Sequence, residues 1–233
     1  MIVYNEIVAV TTGAALIGFT WLVSQVLRKQ KIESEGWAAF FGVTGLLLFT
    51  TGMHTTLTWP YGAGGFQYTN IAFGQPSAMF GAMLFFAAIY LWRNRAVFDG
   101  SSEAEIEDAS ARIMRAIKPI SLYIATAGLA MLVLAFTFVR FQLGAAPPEE
   151  PISGNFGHIP ILEALFLGGL WGIVGLGSIL FAIAAIADRP KLFRWALYAI
   201  ALGGLGFLLF GAMNFYTHIG MYYNIEHGTN HKW

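Results

Sequence analysis

The chain has no cysteine, and only 11% of its 233 residues are charged. The absence of cysteine excludes disulfides, thiolate zinc sites, cysteine-ligated iron–sulfur clusters and a cysteine nucleophile. Any bound metal would need His, Asp, Glu, Met or backbone oxygen ligands. Soluble domains average about 25% charged residues, so this chain has too few charges to cover a water-facing surface. Its formal net charge of zero gives no electrostatic reason to expect nucleic-acid binding.

Apolar residues make up 57% of the chain and are concentrated in long runs. A membrane-spanning helix needs about 20 mostly apolar residues. The sequence predicts six such helices, at 7–27, 37–59, 76–92, 119–140, 160–187 and 192–219. Pro76, Pro119 and Pro160 stand at the starts of three of them, where proline is favourable because a first-turn N–H has no helical partner. The predicted fold is therefore all-α, a polytopic helix bundle forming one transmembrane domain over residues 1–233.

Lysine and arginine are divided unequally between alternate loops. All but two of the 13 basic residues fall in the first, third and fifth loops: Arg28, Lys29, Lys31, Arg93, Arg95, Arg112, Arg115, Lys118, Arg189, Lys191 and Arg194. Cytoplasmic loops of membrane proteins carry an excess of Lys and Arg. We therefore expect a plasma-membrane protein with both termini on the non-cytoplasmic side. The first six residues lack the basic segment of a signal peptide, so the first apolar run is expected to be retained.

The third loop carries the pattern of a short amphipathic helix at about 101–118. Ser102 and Glu105 have the spacing of a capping box. Acidic residues come first and basic residues last, which suits the helix dipole. The pattern predicts a cytoplasmic helix lying on the membrane or the bundle, or alternatively one that docks a partner protein.

Glycines are frequent in the last two predicted spans. Gly168 and Gly172 have the small-xxx-small spacing that lets helices approach closely. We expect them to pack helices within the chain, with self-association as the alternative.

All five histidines are predicted to lie toward the non-cytoplasmic side. Histidine is the commonest metal ligand and also an axial haem ligand, and a polar group in a membrane needs a partner or a use. We expect a metal or haem site from His54, His158, Glu163 and His218, with copper, zinc or haem b as candidates. Neighbouring polar side chains could orient these ligands, and they are Thr51, Thr58, Asn214 and Tyr222.

Three of the proposed ligands also have a simpler interpretation. His54 could hydrogen-bond a neighbouring helix, and Glu163 could be held by the dipole at a helix N-terminus. His218 could belong to an aromatic belt at the membrane interface. His227 and His231 are expected to lie in a solvated tail, outside any site.

The connection between the second and third spans is uncharged and rich in glycine and aromatic residues. It could be an interfacial loop, or a wall over a hydrophobic ligand such as a quinol head group or a lipid. The residues that would contact such a ligand are Trp59, Tyr61, Phe66, Tyr68 and Asn70.

The same region resembles a known family. The sequence Gly-Met-His-Thr-Thr-Leu-Thr-Trp-Pro at 52–60, then Tyr-Thr-Asn-Ile-Ala-Phe-Gly-Gln-Pro at 68–76 and Phe80-Gly81, is similar to the pattern of the domain-of-unknown-function 981 family. Tyr216-Thr217-His218 is also similar. Gln75 stands where the pattern has an acidic residue, and Thr69 separates Tyr68 from Asn70. The resemblance implies a multi-pass membrane fold and no particular activity, cofactor or catalytic residue.

Three functions are compatible with the sequence. The first is a subunit of a respiratory or oxidase-type membrane redox complex, with the histidine-based site near the outer face. The second is a non-catalytic accessory or assembly subunit, which packs against partner membrane proteins or lipids. The third is a transporter, which is disfavoured because ionisable residues are scarce near the middle of the predicted spans.

Overall fold

The computed structural model describes residues 5–58 and 68–232. The described residues are 84% helical and contain no strand. The helices are α1 (Asn5–Leu27), α2 (Ser34–Leu57), α3 (Gln75–Arg93), α4 (Arg95–Phe98), α5 (Glu103–Phe141), α6 (Pro160–Ile186) and α7 (Pro190–His227). A π-helical turn, Asn70–Gly74, leads directly into α3, and a 3₁₀ turn, Ser153–Asn155, precedes α6.

Six of these helices are long and apolar enough to cross a membrane, as the sequence predicts. They are α1, α2, α3 with its π-helical turn, α5, α6 and α7. Six crossings place the start of α1 and the end of α7 at one end of the bundle, which we call the terminal face. The loops that follow α1, α3 and α6 lie at the other end, which we call the basic face. This confirms the polytopic all-α fold.

The amphipathic segment of the third loop differs from the expectation in one respect. Its capping box is confirmed, because the Ser102 side chain accepts from the Glu105 N–H and the Glu105 carboxylate accepts from the Ser102 N–H. The helix does not end near residue 118, however, but continues through Pro119 to Phe141 as part of α5. Pro119 is thus inside the helix, where it removes one backbone hydrogen bond. Neighbouring groups can compensate for such a loss in membrane helices, which allows an unbroken helix.

Helices α2 and α3 form a hairpin in which backbone packs against backbone. A Cβ atom added at Gly45 would lie 2.5 Å from the Phe85 nitrogen and 2.9 Å from the Gly81 oxygen. One added at Gly52 would lie 2.8 Å from the Gly74 oxygen. Glycine is therefore required at both positions, because any side chain would separate the two helices.

Glycines also close the α1–α7 and α5–α6 pairs. A Cβ atom at Gly204 would lie 3.1 Å from the Gly13 oxygen, and Gly128 and Gly175 stand in the same relation across α5 and α6, at 2.8 Å. Gly168 packs on the Ala135 carbonyl, which supports the predicted role in packing within the chain. Gly172 does not share that role, since a Cβ there would meet only the Ala135 methyl, at an ordinary 3.6 Å.

These pairs arrange the six spans in a curved row. The order across the row is α3, α2, α1, α7, α6 and α5, each packed against the next. The row bends so that α3 and α5, at its two ends, come near each other with little direct packing. The seam between α3 and α5 is therefore the loosest part of the bundle wall.

Candidate functional site

His218, one of the proposed ligands, forms an ion pair that the sequence did not suggest. Its Nδ1 lies 2.6 Å from Oε1 of Glu6, and both side chains are mostly buried. Tyr222, one turn further along α7, lies close enough to Glu6 for an electrostatic interaction. The sequence reasoning missed Glu6 because it considered acidic residues only near each histidine in the chain. The available signal was that Glu6 is the one acidic residue in the first turn of α1, at the same face as His218.

Glu163, a second proposed ligand, holds a loop. Its Oε2 accepts a hydrogen bond of 2.7 Å from the Ala146 N–H, which fixes the α5–α6 loop over the start of α6. Tyr68 lies beside it. Burial raises the pKa of the Tyr68 phenol, a backbone hydrogen bond at Gly144 opposes that rise, and the negative charge of Glu163 adds to it. The structure thus brings together one proposed metal ligand and one residue of the proposed ligand loop.

The other two proposed ligands lie elsewhere. His54, on α2, and His158, just before α6, are both exposed. Helix α1 stands between α2 and α7 in the row, which separates His54 from His218. Within residues 5–58 and 68–232, no three His, Asp or Glu side chains form a group that could hold a metal ion. The four-residue metal site stays a prediction and receives no support from this geometry.

The proposed orienting residues have structural partners or buried positions. Thr51 donates to the Leu47 carbonyl of its own helix, 2.6 Å away. Thr58 caps α2 and its carbonyl accepts a hydrogen bond from Asn70. Asn214 is buried in α7, one turn before His218.

The tail histidines are exposed but not isolated. The His227 ring stacks on Tyr223 with centroids 4.2 Å apart, and the His231 N–H donates to the Asn224 side chain. Buried Asn224 also donates to the Glu149 carbonyl, so the tail is attached to the α5–α6 loop.

Asn70, the last residue of the proposed ligand loop, has a structural role. Its buried side-chain amide donates to the Thr55 and Thr58 carbonyls, the latter at 3.0 Å. These carbonyls belong to the last turn of α2, where helical partners are missing, so Asn70 caps the helix. Trp59, Tyr61 and Phe66 lie outside the described residues.

The described part of the chain contains a large binding space that sequence reasoning did not find. A cleft of about 480 Å³ opens at the α3–α5 seam, toward the basic face, with α1 at its back. Its walls are almost wholly apolar and include Phe19, Leu84, Ala87 and Ile117. Exposed aromatic and aliphatic side chains, such as Phe86 and Ile120, form its rim.

The cleft leads to a smaller chamber of about 70 Å³ near the middle of the bundle. Phe19, Met83, Tyr123 and Ile124 line both spaces. Trp171 also lines the chamber, and its buried indole N–H has no hydrogen-bond partner among the described residues. An unpaired buried donor costs about 1–3 kcal/mol.

Comparison with known proteins identifies the family alone. No curated protein and no solved structure matches the chain. A family model described as a protein of unknown function, DUF981, matches residues 1–221. Two residues of the pattern that carries the resemblance, Asn70 and Gly74, have visible roles at the α2–α3 hairpin. Asn70 caps α2, and a Cβ at Gly74 would lie 2.9 Å from the Thr56 hydroxyl. The chain belongs to the domain-of-unknown-function 981 family.

Proposed function

We propose that this protein is a non-catalytic membrane subunit that binds a lipophilic molecule of the bilayer in the α3–α5 cleft. The observation that carries this proposal is the apolar cleft of about 480 Å³ between two helices that pack mainly on other partners. Ligand pockets are typically apolar clefts with few polar groups. A cleft at a loose seam between two spans is open to ligands that diffuse laterally in the membrane.

The depth of the cleft favours a long, flexible molecule. The cleft begins near the basic face, beside Tyr90 and Ile113, and reaches the middle of the bundle at Phe19 and Ile124. The chamber beyond it is too small for a ring system and suits the end of a chain. A membrane lipid fits this shape, and a quinone with its tail in the cleft is the alternative ligand.

The test is to identify what the protein retains after purification in a mild detergent. We expect native mass spectrometry to show one bound lipid per chain, and extraction to give its identity. Ala87→Phe fills the cleft from α3, and Ile120→Trp narrows it from α5. Each should remove most of the bound lipid while thermal stability is kept.

The matched control is Ala212→Phe, because Ala212 is exposed on α7 and does not line the cleft. This variant should retain lipid like the wild type. Equal lipid content in the wild type, both cleft variants and the control would refute the proposal. A quinone in the extract, seen by its ultraviolet absorption, would favour a redox role instead of the accessory one.

A subunit of a membrane redox complex is the second candidate, and the Glu6–His218 pair favours it. Carboxylates commonly orient the imidazole rings that bind metals or haem, and here Glu6 contacts Nδ1. That geometry keeps Nε2 available for a metal or haem. Elemental analysis and an absorption spectrum of the purified protein test this candidate. His218→Ala should then remove the bound group and His231→Ala should not, whereas wild-type protein free of metal and chromophore would exclude it.

A further inference from the structure

At the basic face, the cleft lies beside a second, more polar space that the proposed function does not use. A second space of about 370 Å³ adjoins the cleft, and Phe86 and Tyr90 line both. Ile89 and Arg93, in α3, and Asn94, directly after it, complete its lining. The end of the apolar cleft at the basic face therefore lies beside a guanidinium group.

Arg93 differs from most basic residues around it in having no acidic partner within the described chain. Arg95 pairs with Glu35 at 3.3 Å, and Arg112 pairs with Asp108 at 2.7 Å. Lys118, in α5, pairs with Asp188, in the α6–α7 loop, at 2.8 Å. The structure assigns no carboxylate to Arg93, so its charge is available to a ligand.

We propose that the cleft binds an anionic phospholipid, with its phosphate on Arg93 and one hydrocarbon chain along the cleft. This inference rests on the proposed function and names the ligand class. Charge complementarity favours a head group with net negative charge. A guanidinium binds phosphate oxygens through two parallel hydrogen bonds, and a zwitterionic head group adds a cation that the guanidinium repels. The apolar walls accept the chain through close van der Waals packing, since no hydrophobic force favours its transfer from the surrounding lipid.

The geometry also determines the direction in which the lipid lies. The phosphate is at the basic face, where water and lipid head groups meet, and the chain points toward the chamber beside Trp171. This is the orientation of lipids in the leaflet at that face, so a lipid can enter by lateral movement through the seam. Phe86 and Tyr90 lie at the junction between the head-group space and the chain space.

The test uses the full chain in nanodiscs containing phosphatidylglycerol and phosphatidylcholine, released into the gas phase for native mass spectrometry. The wild type should retain phosphatidylglycerol in preference to phosphatidylcholine. Arg93→Gln should reduce that preference by about tenfold, as expected for loss of charge-assisted hydrogen bonds. Arg93→Lys should keep part of it, because the charge remains while the paired geometry is lost.

Arg194→Gln is the matched control, since Arg194 is an exposed basic residue at the same face, on α7, and does not line the cleft. It should retain the wild-type preference. An equal loss in Arg194→Gln would indicate general attraction to the basic face and overturn the proposal, as would an unchanged preference in Arg93→Gln. If Ala87→Phe retains lipid normally, the cleft itself is not the binding site. If Ala87→Phe loses lipid and Arg93→Gln keeps the preference, only the head-group assignment fails.

Discussion

At the residue scale, polar side chains in this membrane protein are mostly used to satisfy backbone groups. Asn70 donates hydrogen bonds to carbonyl groups at the last turn of α2, and the Glu163 carboxylate accepts one from a backbone N–H of the α5–α6 loop. Asn224 donates to the Glu149 carbonyl and so attaches that loop to the C-terminal tail. An unpaired backbone group inside a membrane is costly. The fold therefore requires these polar side chains, whether or not they also have a functional role.

Asn70→Ala should therefore destabilise the α2–α3 hairpin. Two carbonyls of the last turn of α2 would lose their donor in a buried setting, at about 1–3 kcal/mol for each unsatisfied group. We expect a lower thermal unfolding temperature in detergent, measured by the fluorescence of the native tryptophans. Asn94→Ala is the control, because Asn94 donates to the Tyr90 carbonyl in an exposed position. Similar losses in both variants would mean that burial of the Asn70 cap has no special effect.

At the element scale, the antiparallel helix pairs are joined through glycine. In lipid, helix association depends on close packing because no hydrophobic force drives apolar helices together. Gly128 and Gly175 bring α5 and α6 to backbone contact, and Gly13 and Gly204 do so for α1 and α7. The seam between α3 and α5 has no such pair in the described chain, which accounts for the cleft there.

Gly175→Ala should weaken the α5–α6 pair. The added methyl group would lie 2.8 Å from the Gly128 carbonyl oxygen and 3.1 Å from the Leu132 nitrogen, so the helices would have to move apart. Overpacking of this kind costs about 1–3 kcal/mol. Thermal unfolding in detergent should show the loss. Gly169→Ala is the control, because Gly169 is on the lipid-facing side of α6 and nothing lies within 4 Å of the added atom. It should leave the thermal stability equal or higher. A loss as large as that of Gly175→Ala would argue against the glycine-contact explanation.

At the scale of the whole molecule, ion pairs at the basic face connect α5 to the α1–α2 and α6–α7 loops. Lys29 pairs with Glu107, and Lys118 pairs with Asp188. Each of these exposed pairs contributes about 0–1 kcal/mol. Lysine and arginine are in excess at this face, and we expect that excess to orient the protein in the membrane.

We expect the basic face to be cytoplasmic. The chain has no cysteine, so single cysteines report on one position each. A cysteine at Asn155 should react with a membrane-impermeant thiol reagent in intact cells, and one at Gly100 should react only after the cells are opened. The reason is that lysine and arginine are concentrated in alternate loops, and loops with such an excess are usually cytoplasmic. The reverse labelling pattern would invert the topology and place the Arg93 end of the cleft in the outer leaflet.

The predicted metal site depends on which helices are neighbours, and the sequence does not specify that. The sequence placed His54 and His218 near one membrane depth but could not say which helices are neighbours. The structure puts α1 between their helices and gives His218 a partner from the first turn of α1. Nothing in the local sequence of either residue contains that information, since Glu6 and His218 are 212 residues apart.

The sequence by itself determined the six spans, their rough limits and the α5 capping box, because these depend on apolar run length and on residues within one turn of each other. It also carried the family pattern at the α2–α3 hairpin. Only the tertiary structure decided the order of the helices, the roles of Asn70 and Glu6, and the existence of the cleft. A cleft between two helices has no sequence pattern of its own. It arises because glycines bring the other helix pairs into close contact and leave α3 and α5 apart.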